Sequence, residues 1–216
     1  MIALFFIEKF RLNYFSTAIH SGNQEGISLT FDDGPNPKFT EKFLDLLKKY
    51  DVKATFFIVG KNIEGNEAIL KRIVNEGHII GNHSYKHVGW YNTLSSSKIL
   101  ADIELCNKLI KDVTTKDLIF FRAPFGLTSP NIAKALNKSD HISIGWDFRT
   151  FDTMSKDEDQ LFNKMKKNAK SSSIMLLHDN NDITYNALEK FLSYCKENGI
   201  KIVSLDEMIG IKPYKN

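Results

Sequence analysis

The feature that most constrains this chain is a regular alternation of short apolar runs with amphipathic stretches, which begins after residue 26 and continues almost to the end. Runs at 27–32, 54–59, 78–80, 118–121, 141–146, 174–177 and 201–203 are short and largely apolar, and they read as seven strands. Between them, residues 38–50 place Phe39, Phe43, Leu46, Leu47 and Tyr50 on one helical face. The stretches 67–76, 95–113, 130–136, 158–169, 184–197 and 205–209 have helical periodicity as well. Several carry their own start or stop signals: Ser95 and Ser129 as caps, Pro130 in a first turn, Gly77 and Gly199 after helix ends. Strands that are apolar throughout belong to a parallel sheet covered on both faces. The order strand–helix–strand then leaves two architectures, a (β/α) barrel short of the usual eight strands or an open doubly wound sheet. No Gly-x-Gly-x-x-Gly follows the first strand, which counts against a dinucleotide site.

The 216 residues suffice for one such domain. Residues 1–26 are read as an extension that packs on it, and 27–216 as the domain. A net charge of +3, with basic and acidic residues interspersed, gives no nucleic-acid footprint. Cys106 and Cys195 lie in helical segments with apolar neighbours and are expected to be buried free thiols. The apolar run at 1–7 is too short to span a membrane and lacks the basic flank and cleavage site of a signal peptide. Residues 1–15 are therefore expected to pack as an ordinary first element, with an interfacial anchor as the alternative. Export is left open by these residues.

The unusual polar residues follow predicted strands rather than precede them. Asp32 and Asp33 end the first, within Thr30-Phe31-Asp32-Asp33-Gly34-Pro35. His83 and His87 follow the third, Arg122 the fourth, Asp147 and Asp152 the fifth, His178 and Asp179 the sixth. Sites in parallel α/β folds form at the carboxyl ends of strands. Taken alone, Asp-Asp-Gly is more often a turn than a site. Adjacent carboxylates at a strand end also suit a division of labour, one on a metal and one on a proton. His83 and His87, four apart, would share a side if one helical turn joined them. With a carboxylate they make a two-His, one-Asp set suited to zinc or another divalent transition metal. His178, behind four apolar residues, is a candidate general acid. His20, His78 and His141 are read as structural.

In this order and combination the motifs Thr-Phe-Asp-Asp-Gly-Pro (30–35), His-Ser-Tyr-Lys-His (83–87), Arg-Ala-Pro-Phe-Gly (122–126), Asp152 and Leu-Leu-His-Asp (176–179) resemble those of the polysaccharide deacetylases, the NodB-homology carbohydrate esterases of family 4. The resemblance spans about residues 27–209 and implies a distorted (β/α)7 TIM-like barrel in a single domain. It implies that Asp33, His83 and His87 hold one divalent metal, Zn2+ first, with Co2+ and Ni2+ as alternatives. Asp32 would be the general base and His178 the general acid that protonates the leaving amine. Arg122 would orient Asp32, and Asp152 would pair with His178. The Phe125 N–H would help hold the oxyanion, with Pro124 and Leu176 beside the substrate. The implied partner is a glycan or amino-sugar substrate, met by a monomer without nucleic acid.

The chain departs from the family at two places. Thr153 follows Asp152 where the family usually has a Trp that lines the acetyl pocket. Arg149 stands where an acidic residue is frequent. Trp146, Trp90 and Phe151 are candidates to fill the space of that Trp. The leading expectation is a metal-dependent N-deacetylase for N-acetylated amino sugars. The competing ones are a carbohydrate-binding pseudoenzyme and a related hydrolase for an O-acetyl ester or a small non-sugar amide.

Overall fold

The computed structural model describes residues 18–215. Strands β1 (Ile27–Gly34), β2 (Thr55–Ile58), β3 (Ile79–Asn82), β4 (Phe120–Phe121), β5 (Ile142–Ser143), β6 (Phe148–Arg149) and β7 (Ser173–His178) alternate with helices. The helices are α1 (Thr40–Lys49), α2 (Glu67–Asn75), α3 (Ser96–Thr114), α4 (Pro130–Ser139), α5 (Glu158–Asn168), α6 (Asp182–Glu197) and α7 (Leu205–Ile209). The strands form one sheet in the order β5-β4-β3-β2-β1-β7-β6, and every pairing is parallel. The sheet curls into an incomplete barrel, the distorted (β/α)7 form expected from the motifs. Residues 18–22 run from the β5 side of the sheet to the start of β7, with Ile19 bridged to Ile144 and Ser21 to Ser173. The expectations for residues 1–15, a packed first element or an interfacial anchor, lie outside the described residues.

Alternation along each strand sorts side chains into two layers. Leu29 and Phe31 of β1, Phe56 of β2, and Met175 and Leu177 of β7 face outward and pack with Phe43, Leu47, Leu188 and Phe191 of the helices. Phe57, Phe120, Ile144 and Ile174 face inward and meet Leu205 and Met208 of α7. Fully burying one such side chain contributes about 1.5–3 kcal/mol. This apolar framework is what holds the polar residues between Thr30 and His178 in place. The helix signals act as expected. Ser95 accepts from Lys98 N at 3.5 Å, and Ser129 accepts from Ile132 N at 3.3 Å with Pro130 behind it. Cys106 and Cys195 are buried and free.

Two strand assignments change. Residues 201–203 form only an isolated bridge, Ile27 to Ile202, with Ile27 N donating to Lys201 O at 2.9 Å and Val203 N to Ile27 O at 3.0 Å. The seventh strand is β6, within what reads in sequence as a loop. The run 141–146 is cut at Gly145, where the His20 ring packs so closely that a Cβ would collide with it. The chain re-enters the sheet at Phe148, which buries against the outer layer.

Candidate active site

The neighbouring carboxylates Asp32 and Asp33 enter one site by a bulge. In β1, Asp32 is in register with Phe57, but the next residue to find a partner on β2 is Gly34, opposite Ile58. Asp33 is the extra residue, at φ 72°, and this local break in the ladder turns its side chain back toward the face of Asp32. The strand thus runs two residues beyond the expected end. Asn62 Nδ2 donates to Asp33 O at 2.9 Å and holds the bulge.

His83 and His87 meet Asp33 at the head of β3. His87 Nε2 lies 3.2 Å and His83 Nε2 3.5 Å from Asp33 Oδ1. No helical turn joins the two histidines. Residues 83–87 form a loop with left-handed backbone at Ser84 (φ 67°) and His87 (φ 46°). Each backbone N–H from 84 to 87 donates to a side chain: Ser84 N to Asn82 Oδ1 (2.7 Å), Tyr85 N to Asp102 Oδ1 (2.8 Å), Lys86 N to Asp102 Oδ2 (3.2 Å) and His87 N to Ser84 Oγ (3.0 Å). His83 Nδ1 donates to Arg122 O at 2.8 Å. A carbonyl can only accept, so Nδ1 carries the proton of this bond and Nε2 is the ring nitrogen left facing Asp33.

Arg122 is fully buried. Its Nη1 donates to Asp32 Oδ1 (2.7 Å) and Thr30 Oγ1 (2.8 Å), its Nε to Ile144 O (3.1 Å) and its Nη2 to Gly145 O (2.7 Å). The guanidinium stacks over Phe57 at 4.1 Å. Burial pushes the Asp32 carboxyl up, but the charges of Arg122, His83 and His178 outweigh it and hold Asp32 below the usual carboxylate range.

Opposite, His178 is tied to Asp152. Asp152 Oδ1 accepts from His178 Nδ1 at 3.0 Å and Oδ2 from His178 N at 2.7 Å. The Thr150 and Thr184 hydroxyls donate to the same carboxylate at 3.0 and 3.2 Å. His178 Nε2 is left facing the cluster, 3.8 Å from Asp33 Oδ2. Burial alone would lower the His178 pKa. The hydrogen bond and charge of Asp152, with Asp32 and Asp33 behind it, raise it to about 9.

The donor set fits a divalent cation. Two imidazole nitrogens and one carboxylate oxygen lie within 4.8 Å of one another, and Asp33 Oδ1 is buried without a hydrogen-bond partner. Burial, then the His83 charge, lowers the His87 pKa and favours the neutral ring that a metal needs.

Among the remaining predicted residues, Phe125 sits at φ 59°, half exposed, its ring 4.8 Å from that of His87. Pro124 and Leu176 are buried beside it in the chain and on β7 respectively. Five of the nine non-glycine residues with left-handed backbone among the described residues (Asp33, Ser84, His87, Phe125 and Phe151) lie in these loops. Such strain, of order 1–3 kcal/mol per residue, persists where the surroundings dictate a conformation. Asp147 stays outside the cluster and instead accepts from Ile174 N (2.6 Å) and Ser173 Oγ (2.8 Å) at the start of β7. Asp179 is buried, accepts from the Thr40 hydroxyl and is raised by burial to about 7. His20, His78 and His141 bond to Trp146 O, Ala54 N and Asn107, away from the cluster.

Of the aromatics near Thr153, Trp146 packs beneath Gly126 (φ 68°), where a Cβ would strike its ring. Phe151 lies between Arg149 and Lys164, and Trp90 is 63% exposed. Thr153 itself is exposed. Thr150, Thr184, Asn82 and Asp102 have no motif to reveal them. Asp102 had one signal, a carboxylate on the buried stripe Ile99–Asp102–Ile103–Cys106 of α3.

A (β/α) barrel that carries two histidines and a carboxylate at the carboxyl ends of its strands, with the Arg122-paired Asp32 and the Asp152-paired His178 on either side, fits the framework of a metal-dependent hydrolase. The comparisons with known proteins agree. The profile of the polysaccharide deacetylases matches residues 20–142. A peptidoglycan-N-acetylglucosamine deacetylase of Bacillus cereus is 34% identical over 195 residues, 88% of this chain and 91% of that protein. The chitin deacetylase of Colletotrichum lindemuthianum superposes with TM-score 0.84 at 28% identity, covering 92% of this chain and 95% of that one. A CE4 family pseudoenzyme from Bacillus anthracis superposes with TM-score 0.81 at 28% identity, covering 89% and 68%. This chain belongs to the polysaccharide deacetylase family, a family of metal-dependent hydrolases that includes peptidoglycan and chitin deacetylases.

Proposed function

We propose that this protein removes N-acetyl groups from N-acetylated amino sugars in a glycan of the peptidoglycan or chitooligosaccharide type, with Asp33, His83 and His87 holding Zn2+ and with Co2+ or Ni2+ as substitutes. One observation carries the reading: two groups prepared in opposite senses flank the ligand cluster. Asp32 is held ionised by Arg122, and His178 is held protonated by Asp152.

An amide is a poor electrophile with a poor leaving group, so hydrolysis needs help at both ends. The cation supplies Lewis acidity, polarising the acetyl carbonyl and making water more acidic. Asp32 takes the proton of the attacking water. The Phe125 N–H, placed by a left-handed loop, meets the negative charge that develops on the carbonyl oxygen. His178 gives its Nε2 proton to the nitrogen as the C–N bond breaks. Asp152 keeps the other ring nitrogen as a donor and thereby aims that proton into the site. The products are acetate and a free amine. A pseudoenzyme would lack one of these groups, and Asp32, Asp33, His83, His87, Arg122 and His178 are all present.

Metal content and acetate release from chitooligosaccharide, peptidoglycan and acetylxylan test this reading. Acetate from either amino-sugar polymer, dependent on the metal, is expected. Release from acetylxylan alone would make the protein an O-acetyl esterase, and release from none would make it a binding protein.

A further inference from the structure

Asp102 of α3 is a carboxylate with an unusual set of partners. It is 8% exposed and makes no ion pair with Lys, Arg or His among the described residues. A buried carboxylate without a cation is costly unless something else repays its lost hydration. Its acceptors go instead to two consecutive backbone N–H groups, Tyr85 N at 2.8 Å and Lys86 N at 3.2 Å. Those two residues are the middle of the five-residue loop from His83 to His87. The other side of the loop is fixed too. Gly60 N donates to Ser84 O at 2.9 Å and Lys61 N to Tyr85 O at 3.0 Å. Gly60 leaves no room for a Cβ because the Tyr85 ring and Cys106 Sγ lie against it. The loop is therefore clamped between α3 and the turn after β2, and its left-handed residues, Ser84 and His87, bracket the residues that Asp102 grips.

The consequence for the histidines is geometric. His83 leaves the end of β3, whereas His87 has no strand or helix beneath it. The distance between the two Nε2 atoms depends on the path of residues 84–86, and Asp102 sets that path. A second effect is electrostatic. Burial raises the Asp102 pKa, while the Tyr85 and Lys86 N–H groups and the Lys86 charge act against that rise; the ionised carboxylate beside the loop favours a cation in the cluster ahead of it.

We propose that Asp102 is a positioning residue for the metal site: it fixes the spacing of His83 and His87 and supplies a negative charge that metal binding compensates. The proposal rests on the reading of Asp33, His83 and His87 as the metal site. It implies that Asp102 matters more to the metal-loaded protein than to the metal-free one. In the metal-free protein Asp102 combines a useful hydrogen-bonded brace with a buried carboxylate whose ionisation burial opposes. In the loaded protein only the brace and a favourable attraction remain.

The test is Asp102→Asn, which keeps the shape, removes the charge and turns one acceptor into a donor facing a backbone N–H. Zn2+ affinity is measured by competition with a chromophoric chelator, and thermal melts are recorded with chelator and with saturating Zn2+. Affinity is expected to fall about 10–100-fold, the usual cost of losing a group that supports a metal ligand. The rise in melting temperature on adding Zn2+ should be smaller in the variant than in the wild type. The visible spectrum of the Co2+ form should change as well. Asp102→Glu, which retains the charge but shifts it, should give an intermediate affinity, and it serves alone if Asp102→Asn does not fold. A purely structural role predicts a lower melting temperature by the same amount with and without Zn2+, with unchanged affinity and Co2+ spectrum, and that result overturns the proposal. Failure of the wild type to bind Zn2+ at all would sink the metal-site reading and this proposal together.

Discussion

Replacing Asp152 by Asn separates proton delivery from every other part of the proposed mechanism. Asp152 touches neither Asp33 nor the two metal-site histidines in the structure; its partners are His178, Thr150 and Thr184. Asn keeps the shape and removes the charge that holds the His178 proton. With Asp152, the imidazole pKa is raised from 6.5 to about 9. Without it, burial is no longer outweighed by its main opponent, so the value should fall to the ordinary 6.5 or below. A change of that size is worth about 3 kcal/mol at roughly 1.4 kcal/mol per pKa unit. At pH 8 the protonated fraction of His178 should drop from about 0.9 to about 0.03, a loss of about 30-fold in kcat/KM if that proton is the one delivered to the leaving nitrogen. A cation held at Asp33, His83 and His87 displaces the alkaline limb of both proteins alike, so the difference between them is the prediction.

The assay is acetate release from a chitooligosaccharide as a function of pH, with metal content measured in parallel. The alkaline limb should move about two units or more toward acid, while the metal stays bound and activity near pH 5.5 recovers. Stability gives an independent reading. Because folding raises the His178 pKa, its protonated form contributes stability fully below pH 6.5, and that contribution is lost as the pH rises through about 9. Wild type and Asp152→Asn should differ most in melting temperature below pH 6.5 and converge toward pH 9. An alkaline limb that does not move would refute His178 as the acid controlled by Asp152.

Two further outcomes follow from the site. Asp32→Asn should retain the metal but lose at least about 100-fold in turnover, the usual contribution of a general base; a smaller loss in single-turnover acetate release would place the base elsewhere. Thr153 is exposed, and Phe151 is engaged by Arg149 and Lys164, so the acyl pocket is expected to lack a firm wall. Formyl, acetyl and propionyl forms of one amino sugar should then differ by less than about 10-fold, because a fully closed pocket discriminates one methylene by about 1–3 kcal/mol; a steep fall from acetyl to propionyl would show that another side chain closes it.

Much of this architecture was legible in the residues because it depends on local signals. Continuous apolar strands and capped helices narrow the fold to a (β/α) barrel or a doubly wound sheet, the motif resemblance selects the barrel, and the strand-end positions bring Asp32, Asp33, His83, His87, Arg122 and His178 to one end. What escaped depends on contacts distant in sequence. Strand β6 has two residues, too short for periodicity, and exists because Phe148 and Arg149 pair with Met175 and Leu176. The 201–203 run has strand composition but meets β1 at one bridge only. His83-x-x-x-His87 has helical spacing, yet Asp102 and Asn82 offer its N–H groups better acceptors than a helical turn would. Asp33 reaches the site through a bulge rather than at a strand end, a choice made by the pairing with β2.

In the proposed reaction one divalent ion on Asp33, His83 and His87 serves an N-deacetylation. The most direct test of this role is His83→Ala, assayed together for bound zinc and for acetate released from chitooligosaccharide and peptidoglycan. His83 follows the end of β3 and belongs to neither apolar layer, so the variant should fold. About one zinc per chain is expected in the wild type, with metal-dependent acetate release, and loss of both in the variant. Full zinc occupancy in His83→Ala, or undiminished acetate release from it, would rule out a catalytic metal at these three residues.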